Sequence, residues 1–397
     1  MKIAVLTNDY APNSKGGGAV IAETQVRELE RRGHEIKVFV RSPNLEALSA
    51  ISRLFFHLRD LGARSDIVSQ ILEWQPQILL THNLTGCGFH TPSKILRQQT
   101  TCSPLRGEHR KLQNVKKNEC SPLRGEHGGQ LRWVHILHDA QLVEPSGQIV
   151  SGEIYKFARN IWRLTWATLR KFALANPDTV ISPTNWLLNF HKQYGFFRIS
   201  RTFVIPNPIS QNLESGIQNL EPGTQNSNLD ILFVGRLDPD TGIDVLIRAL
   251  RSLNPNDVRL HIVGDNKTKS GPRTPDAGRN ILYYGALPHD RVLEILDQKP
   301  LVVIPSLVYE NQPTIILEAL AAGCQVIASN VGGIPETLDG AGWIIPAGDE
   351  QALANAIKHA LTNSYSENMN RARQTILNRH KLETVVDELE SALKSNL

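Results

Sequence analysis

Apolar and polar positions along the chain alternate between two periods. KIAVLT at residues 2–7 is a short unbroken apolar run. After Gly16-Gly17-Gly18, the stretch AVIAETQVRELERR repeats apolar positions at helical spacing, Gly33 closes it, and EIKVFV follows. This predicts strand, Gly-rich loop, helix and strand, and strands alternating with helices call for a parallel sheet covered on both faces. Strand-like runs recur at QILLTHN (77–83), WVHILHD (133–139) and TVISPT (179–184). A second series opens near residue 204 with FVIPNP. It continues through DILFVGRL (230–237), RLHIVGD (259–265), ILYYGAL (281–287), LVVIPS (301–306), CQVIASN (324–330) and GWIIPA (342–347). Helical patterns separate most of these runs. The expected fold class is α/β, with two doubly wound, Rossmann-like domains over 1–205 and 206–379 facing a central cleft.

Length agrees, because 397 residues exceed what one core ordinarily holds. Hydrophobic content of 41% and charged content of 21% are those of a soluble globular chain, and a net charge of +4 does not by itself imply a nucleic-acid partner. No stretch has the length and apolarity of a membrane span, and MKIAVLTND lacks the features of a secretory signal. Cys87, Cys102, Cys120 and Cys324 are few for the length and suggest reduced thiols in the cytosol.

Two segments break the rhythm. CSPLRGEH occurs at 102–109 and again at 120–127, within a basic insertion at about 100–130, and residues 211–227 repeat a Gln/Asn/Ser/Gly-rich unit. Neither can bury much apolar surface, so both read as surface insertions. Cys102, His109, Cys120 and His127 could hold a zinc ion, but the spacing fits no common pattern and duplication alone explains the regularity. The basic insertion has no interleaved aromatics, so nucleic-acid binding is not expected.

Chemistry concentrates in PSLVYENQPTIILEALAAG at 305–323. A strand ends at Pro305, a loop carries Glu310, Pro313 suits a first helical position and Gly323 suits a helix end. A helix starting at the carboxyl end of a parallel strand aims free N–H groups into the ligand crevice, a place suited to phosphate. Asn311, Gln312, Pro313 and Thr314 would then border the phosphates. Glu318, one turn further on and leaning back, would reach a ribose diol, and Glu310 would face a sugar.

The context P-S…E…P…E-A…G resembles the E-x7-E motif of retaining GT-B glycosyltransferases of family 4, the glycosyl transferases group 1. In that family the first Glu contacts the donor hexose and the second the ribose, here Glu310 and Glu318. ILFVGRL with TGIDVLIRAL resembles the opening of the family's donor domain, which makes Arg236 a diphosphate contact and places Leu287 near the nucleobase. Gly17 and Gly18 match the loop that approaches the donor phosphate, and the LHD setting of His138 matches a histidine beside the reacting sugar. The resemblance implies a UDP- or GDP-sugar donor and a glycan or lipid-linked acceptor, transfer with retention, and no cofactor or metal. It also implies a final helix over 380–397 crossing back to the first domain.

One departure bears on activity. GRLDPDTG places Thr241 where the family carries Lys, and Asp238 and Asp240 add negative charge. Lys267 or Lys269 could supply the missing cation. The alternative is a weakened or non-catalytic nucleotide-sugar binder, and an epimerase on a similar scaffold is disfavoured by the Glu310/Glu318 context. Asp238-Pro239-Asp240 also spells D-x-D, but Pro and Asp are better explained as turn formers than as metal ligands. Along 154–173, Phe157, Ile161, Leu164, Thr168 and Phe172 form one stripe, and Arg159, Arg163, Trp166 and Arg170 share another face. The expectation is a core-packed apolar stripe with a solvated basic side; the rival is peripheral docking on anionic membrane at the inner face of the cell.

Overall fold

The computed structural model describes residues 1–10, 17–41, 49–99, 131–144, 149, 157–209, 229–254, 258–265, 280–363 and 366–395. The duplicated CSPLRGEH segment, the 211–227 repeat, Gly16, Lys267 and Lys269 lie outside them.

Strands β1 (Lys2–Thr7), β2 (Glu35–Val40), β3 (Ile78–Thr81), β4 (Arg132–Ile136), β5 (Thr179–Ser182) and β6 (Arg201–Val204) form one sheet in the order β2-β1-β3-β4-β5-β6. Strands β7 (Leu229–Val234), β8 (Val258–Val263), β9 (Ile281–Gly285), β10 (Leu301–Ile304), β11 (Val326–Ser329) and β12 (Trp343–Ile345) form another, ordered β12-β11-β10-β7-β8-β9. Every pairing in both is parallel. This is the GT-B arrangement of two parallel α/β domains. One detail differs from the expectation: the strand within FVIPNP belongs to β6, the last strand of the first sheet, because it pairs with β5. IPNP is instead the crossover between domains.

Helices of the first domain are α1 (Gly17–Arg31), α2 (Ala50–Asp60), α3 (Ser65–Trp74), α4 (Thr91–Gln99), α5 (Phe157–Leu174) and α6 (Asn185–Gln193). The second carries α7 (Ile243–Leu250), α8 (His289–Leu296), α9 (Thr314–Ala322), α10 (Ile334–Leu338), α11 (Glu350–Thr362) and α12 (Glu367–Arg379). Alternation along β1 feeds two cores, Ala4 and Leu6 on one face of the sheet and Ile3 and Val5 on the other. Such strands are apolar on both sides because helices cover both.

A last helix, α13 (Leu382–Lys394), packs on the first domain: Val385, Val386 and Leu389 join Ile3, Val5, Val26 and Leu29 in one core. Arg32, in the turn just after α1, donates to Asp387 at 2.5 Å, and Arg132 on β4 donates to the Leu393 carbonyl at 2.6 Å. The chain thus crosses between domains twice, and the crossings are tied together. Ile209 N donates to His380 O at 2.8 Å, and His380 Nδ1 to Asn207 O at 2.7 Å.

Helix α5 reverses the expected polarity. Arg163, Trp166 and Arg170 are buried, whereas Ile161, Leu164 and Phe172 are exposed, Phe172 to 78%. The cause is a set of partners distant in sequence. Arg163 Nε donates to Glu144 at 3.0 Å, and the Arg170 guanidinium lies 4.6 Å from the Phe89 ring centre and 4.9 Å from that of Trp166. The carboxylates of Asp60, Asp139 and Glu144 surround Arg170 electrostatically, though burial still draws its pKa down to about 9. A buried guanidinium persists only where carboxylates and ring faces replace water. Among the described residues no helix is long and apolar enough to cross a membrane.

Candidate active site

The carboxyl ends of both sheets open onto one cleft of about 590 Å³, the crevice position expected of doubly wound sheets. Its wall takes Gly17 and Gly18 from α1, His138 and Asp139 from the turn after β4, and Glu310 to Ile315 from the connection between β10 and α9. The structure therefore brings together Gly17, Gly18, His138, Glu310, Asn311, Gln312, Pro313 and Thr314.

Gly17 and Gly18 form the first turn of α1 rather than a free loop. A Cβ on Gly18 would sit 3.6 Å from the His138 ring, so the helix start lies against that imidazole. Across the cleft, α9 begins at Thr314, with Pro313 as its N-cap rather than its first helical residue. The helix ends at Gly323, whose φ of 84° suits a residue without Cβ. Two helix N-termini thus border the same cleft, each with unpaired N–H groups and a partial positive charge.

The 305–313 loop is held by close backbone packing. A Cβ on Gly242 would fall 1.8 Å from the Pro305 carbonyl oxygen, and one on Gly332 would fall 2.1 Å from that of Glu310. Only glycine lets the chains approach so closely. Gly333 N donates to Glu310 O at 2.8 Å, and Leu307 N to Asp240 O at 2.9 Å. The side chain of Asn311 is committed to the first domain and that of Gln312 to the crossover between domains. Thr184 Oγ1 donates to Asn311 Oδ1 at 2.7 Å, Asn311 Nδ2 to His138 O at 3.1 Å, and Asn207 N to Gln312 Oε1 at 2.7 Å. Tyr309 stacks on Trp186, ring centres 5.4 Å apart. Glu336 on α10 accepts from Asn185 N at 2.8 Å and Trp186 N at 3.1 Å, so a carboxylate of the second domain caps α6 of the first.

Burial raises the pKa of the Glu310 carboxyl, and the charge of Arg236 draws it back. His138 Nε2 lies 2.8 Å from Nδ1 of His82, so one ring donates and the other accepts. Burial holds His138 near 4 and His82 well below its ordinary value. Asp139 is pushed up to about 6 by burial, against hydrogen bonds from Gln141 N and Asn83.

These buried imidazoles fix a pH dependence. His82, His135, His138, His191 and His380 are all depressed by burial, the last three to about 4. A folded-state pKa below the unfolded one means the unfolded chain binds protons first as pH falls. The stability from these groups is complete above the ordinary histidine value of 6.5 and is lost as pH drops toward 4. Asp139, raised to about 6, works in the opposite sense below that pH, as do Asp60 and Glu310, whose carboxyls burial also raises, but these three stand against the five imidazoles and His57, itself lowered to about 4. Each group contributes up to about 1.4 kcal/mol per pH unit. Thermal melts should show a midpoint falling steadily from about pH 6.5 to about pH 4; a flat midpoint would contradict the assignment.

The remaining expected residues lie off the cleft wall. Arg236 is half exposed and paired with Asp238 at 3.4 Å, although its charge is felt at Glu310. Thr241 ends the 3₁₀ turn Pro239–Thr241, its hydroxyl donating to Asp238 O at 2.7 Å. The Asp238-Pro239-Asp240 run thus makes a turn, and among the described residues no group of His, Cys, Asp and Glu is arranged to hold a metal. Leu287 packs on the second-domain core. Glu318 Oε1 lies 3.1 Å from His289 Nε2, and this carboxylate raises the His289 pKa. Sequence reasoning missed Trp186, Asn207 and Tyr309, which line the cleft, and His82, Glu336 and His289, which bond His138, the start of α6 and Glu318. A signal existed for His82, which stands in the run QILLTHN just past β3, the strand beside β4, after which His138 follows.

Comparison with known proteins agrees with this architecture. Residues 228–363 match the family described as Glycosyl transferases group 1. A 42.6 kDa protein of the cps region of Klebsiella pneumoniae is 22% identical over 85% of this chain and 87% of its own length. The lipopolysaccharide 1,2-N-acetylglucosaminetransferase of Salmonella typhimurium is 26% identical over 55% of this chain and 63% of its own. Among solved structures, sucrose-phosphate synthase from Thermosynechococcus elongatus superposes with a TM-score of 0.67 at 17% identity, covering 100% of this chain and 99% of that one. Anabaena HepE in complex with UDP gives 0.64 at 18% identity, covering 100% of both. These last two likenesses establish the shared fold.

Proposed function

We propose that the chain is a group 1 glycosyltransferase, as the match over residues 228–363 supports, and that it moves a hexosyl unit from a UDP- or GDP-sugar to a hydroxyl of a glycan or lipid-linked acceptor, with retention. The observation that carries this is the meeting of the half-buried Glu310 carboxyl with the N-termini of α1 and α9 in one cleft. Charge builds on the departing diphosphate as the sugar becomes cationic. Helix N-termini answer the first and Glu310 the second, so no metal is called upon. His138, neutral and pressed against Gly18, borders the reacting sugar.

Donor binding rearranges two pairs. Arg236 leaves Asp238 for the diphosphate, with Lys267 as a second cation, and Glu318 exchanges His289 for the ribose diol. Leu287 borders the base. Retention follows if the acceptor attacks the face the diphosphate leaves from. A cytoplasmic station supplies such donors and keeps Cys87 and Cys324 reduced. The relatives' names, lipopolysaccharide transferase and amylovoran biosynthesis glycosyltransferase, point to envelope polysaccharide as the acceptor class.

Incubation with UDP- and GDP-sugars, with assay of released nucleotide, tests the proposal. Binding without release identifies a non-catalytic binder. Thr241→Lys restores a cation beside the diphosphate and should tighten donor binding roughly tenfold, the worth of one charge-assisted hydrogen bond. Unchanged affinity in titration calorimetry would show that the missing Lys was not limiting.

A further inference from the structure

Outside the cleft, α2 and α5 share an exposed apolar surface. Helix α2 presents Ile51, Leu54, Phe55 and Leu58 to solvent, with Ile51 70% and Phe55 66% exposed. Helix α5 presents Trp162, Leu169 and the reversed stripe that ends at Phe172. The two meet where His57 packs edge-on against Trp166, ring centres 5.9 Å apart, with Trp162 stacked on that same indole at 5.9 Å. A soluble surface rarely gathers so many large side chains without a partner.

Charge identifies the partner. Helix α5 contains no acidic residue, and the only one on α2, Asp60, is fully buried, accepting from Gly86 N at 2.7 Å and Gly88 N at 3.0 Å. The exposed side of α2 carries Arg53 and Arg59 beside its apolar groups, and α5 adds Lys171. On the described parts of these two helices the exposed Phe, Trp and Leu are accompanied by cations and by no exposed carboxylate, which matches the chemistry of an anionic bilayer surface, with rings in the acyl boundary and guanidinium groups at the phosphates. We propose that α2 and α5 together dock the first domain on anionic lipid through their apolar faces. The buried Arg163 and Arg170 do not touch lipid; they hold α5 in the orientation that turns Phe172 outward. This goes beyond the transfer reaction and is measured without it.

The test is co-sedimentation of the full chain with vesicles of pure phosphatidylglycerol or pure phosphatidylcholine. Binding is expected on the first and weak or absent on the second. The double variant Phe55→Ser, Phe172→Ser should lose about tenfold or more of the binding, since each exposed ring contributes through the area it buries. Both positions face solvent, and an unchanged thermal midpoint will show that the variant folds. Independently, brominated phosphatidylglycerol should quench wild-type tryptophan emission, and Trp162→Phe should remove most of that quenching. Absence of binding, equal binding to both vesicles, or binding unaffected by the double variant overturns the proposal. A dimer in vesicle-free solution that the same variant dissociates also overturns it and assigns the face to a second copy.

Discussion

Glu310→Gln should lower turnover by about 10²–10³-fold while changing donor affinity only a few-fold, as expected when a preorganised charge acts on the transition state. The amide keeps the size of the side chain and its place under the loop. It removes the negative charge, whose value is greatest where water is excluded. Glu310 is half-buried at the cleft wall, and the loss of water around its carboxyl has already raised its pKa against the pull of Arg236. The ionised form therefore exists at a cost that the fold sustains, and a cationic sugar is what relieves it. Wild-type activity should accordingly fall on the acid side at a higher pH than for an ordinary carboxylate, and the Gln variant should lose that limb. Steady-state rates with the best donor, beside calorimetric dissociation constants, decide the matter. A Gln variant with near-normal turnover would remove Glu310 from the chemistry.

The second large effect requires no contact with substrate. A methyl group at Gly333 would lie 2.0 Å from the Asn311 carbonyl oxygen and 2.9 Å from Thr184 Cγ2, both on the seam between domains. Gly333→Ala must push the 310–311 segment away, breaking the 2.8 Å bond from Gly333 N to Glu310 O and straining the Thr184–Asn311 and Asn311–His138 bonds. A displacement near 1 Å at a reacting carboxylate costs about 10²-fold in kcat/KM. Small-angle scattering should show a larger radius of gyration, because the same atoms hold the domains together. A variant with wild-type kinetics would mean that the seam does not position Glu310.

Much of the fold was legible because its central strands are buried on both faces and read as unbroken apolar runs. DILFVGRL and LVVIPS sit mid-sheet as β7 and β10, and each ends where Gly or Pro begins. The α9 connection was legible too, since Pro313 and Gly323 mark its ends by chemistry that is purely local. What failed was long-range. Periodicity shows that α5 has two faces but not which is inside; that was decided by Glu144, Phe89 and Asp60, distant in the chain. Likewise nothing local distinguishes Glu336 as the cap of α6 or His289 as the partner of Glu318, because both contacts join elements remote in sequence. Position alone makes Asn311 and Gln312 donor contacts, yet their side chains are held in bonds to the first domain and to the crossover between domains.

The packing of α13 has a consequence for how the chain is made. Val385, Val386 and Leu389 complete a core that otherwise belongs to residues near the start, Ile3, Val5, Val26 and Leu29. Domains ordinarily fold in order of synthesis, the earlier one first. Here the earlier domain emerges from the ribosome with that face of its sheet covered only in part, by α1, and it stays so until the second domain has been translated. The later domain finishes first, and the first to appear is the last to close.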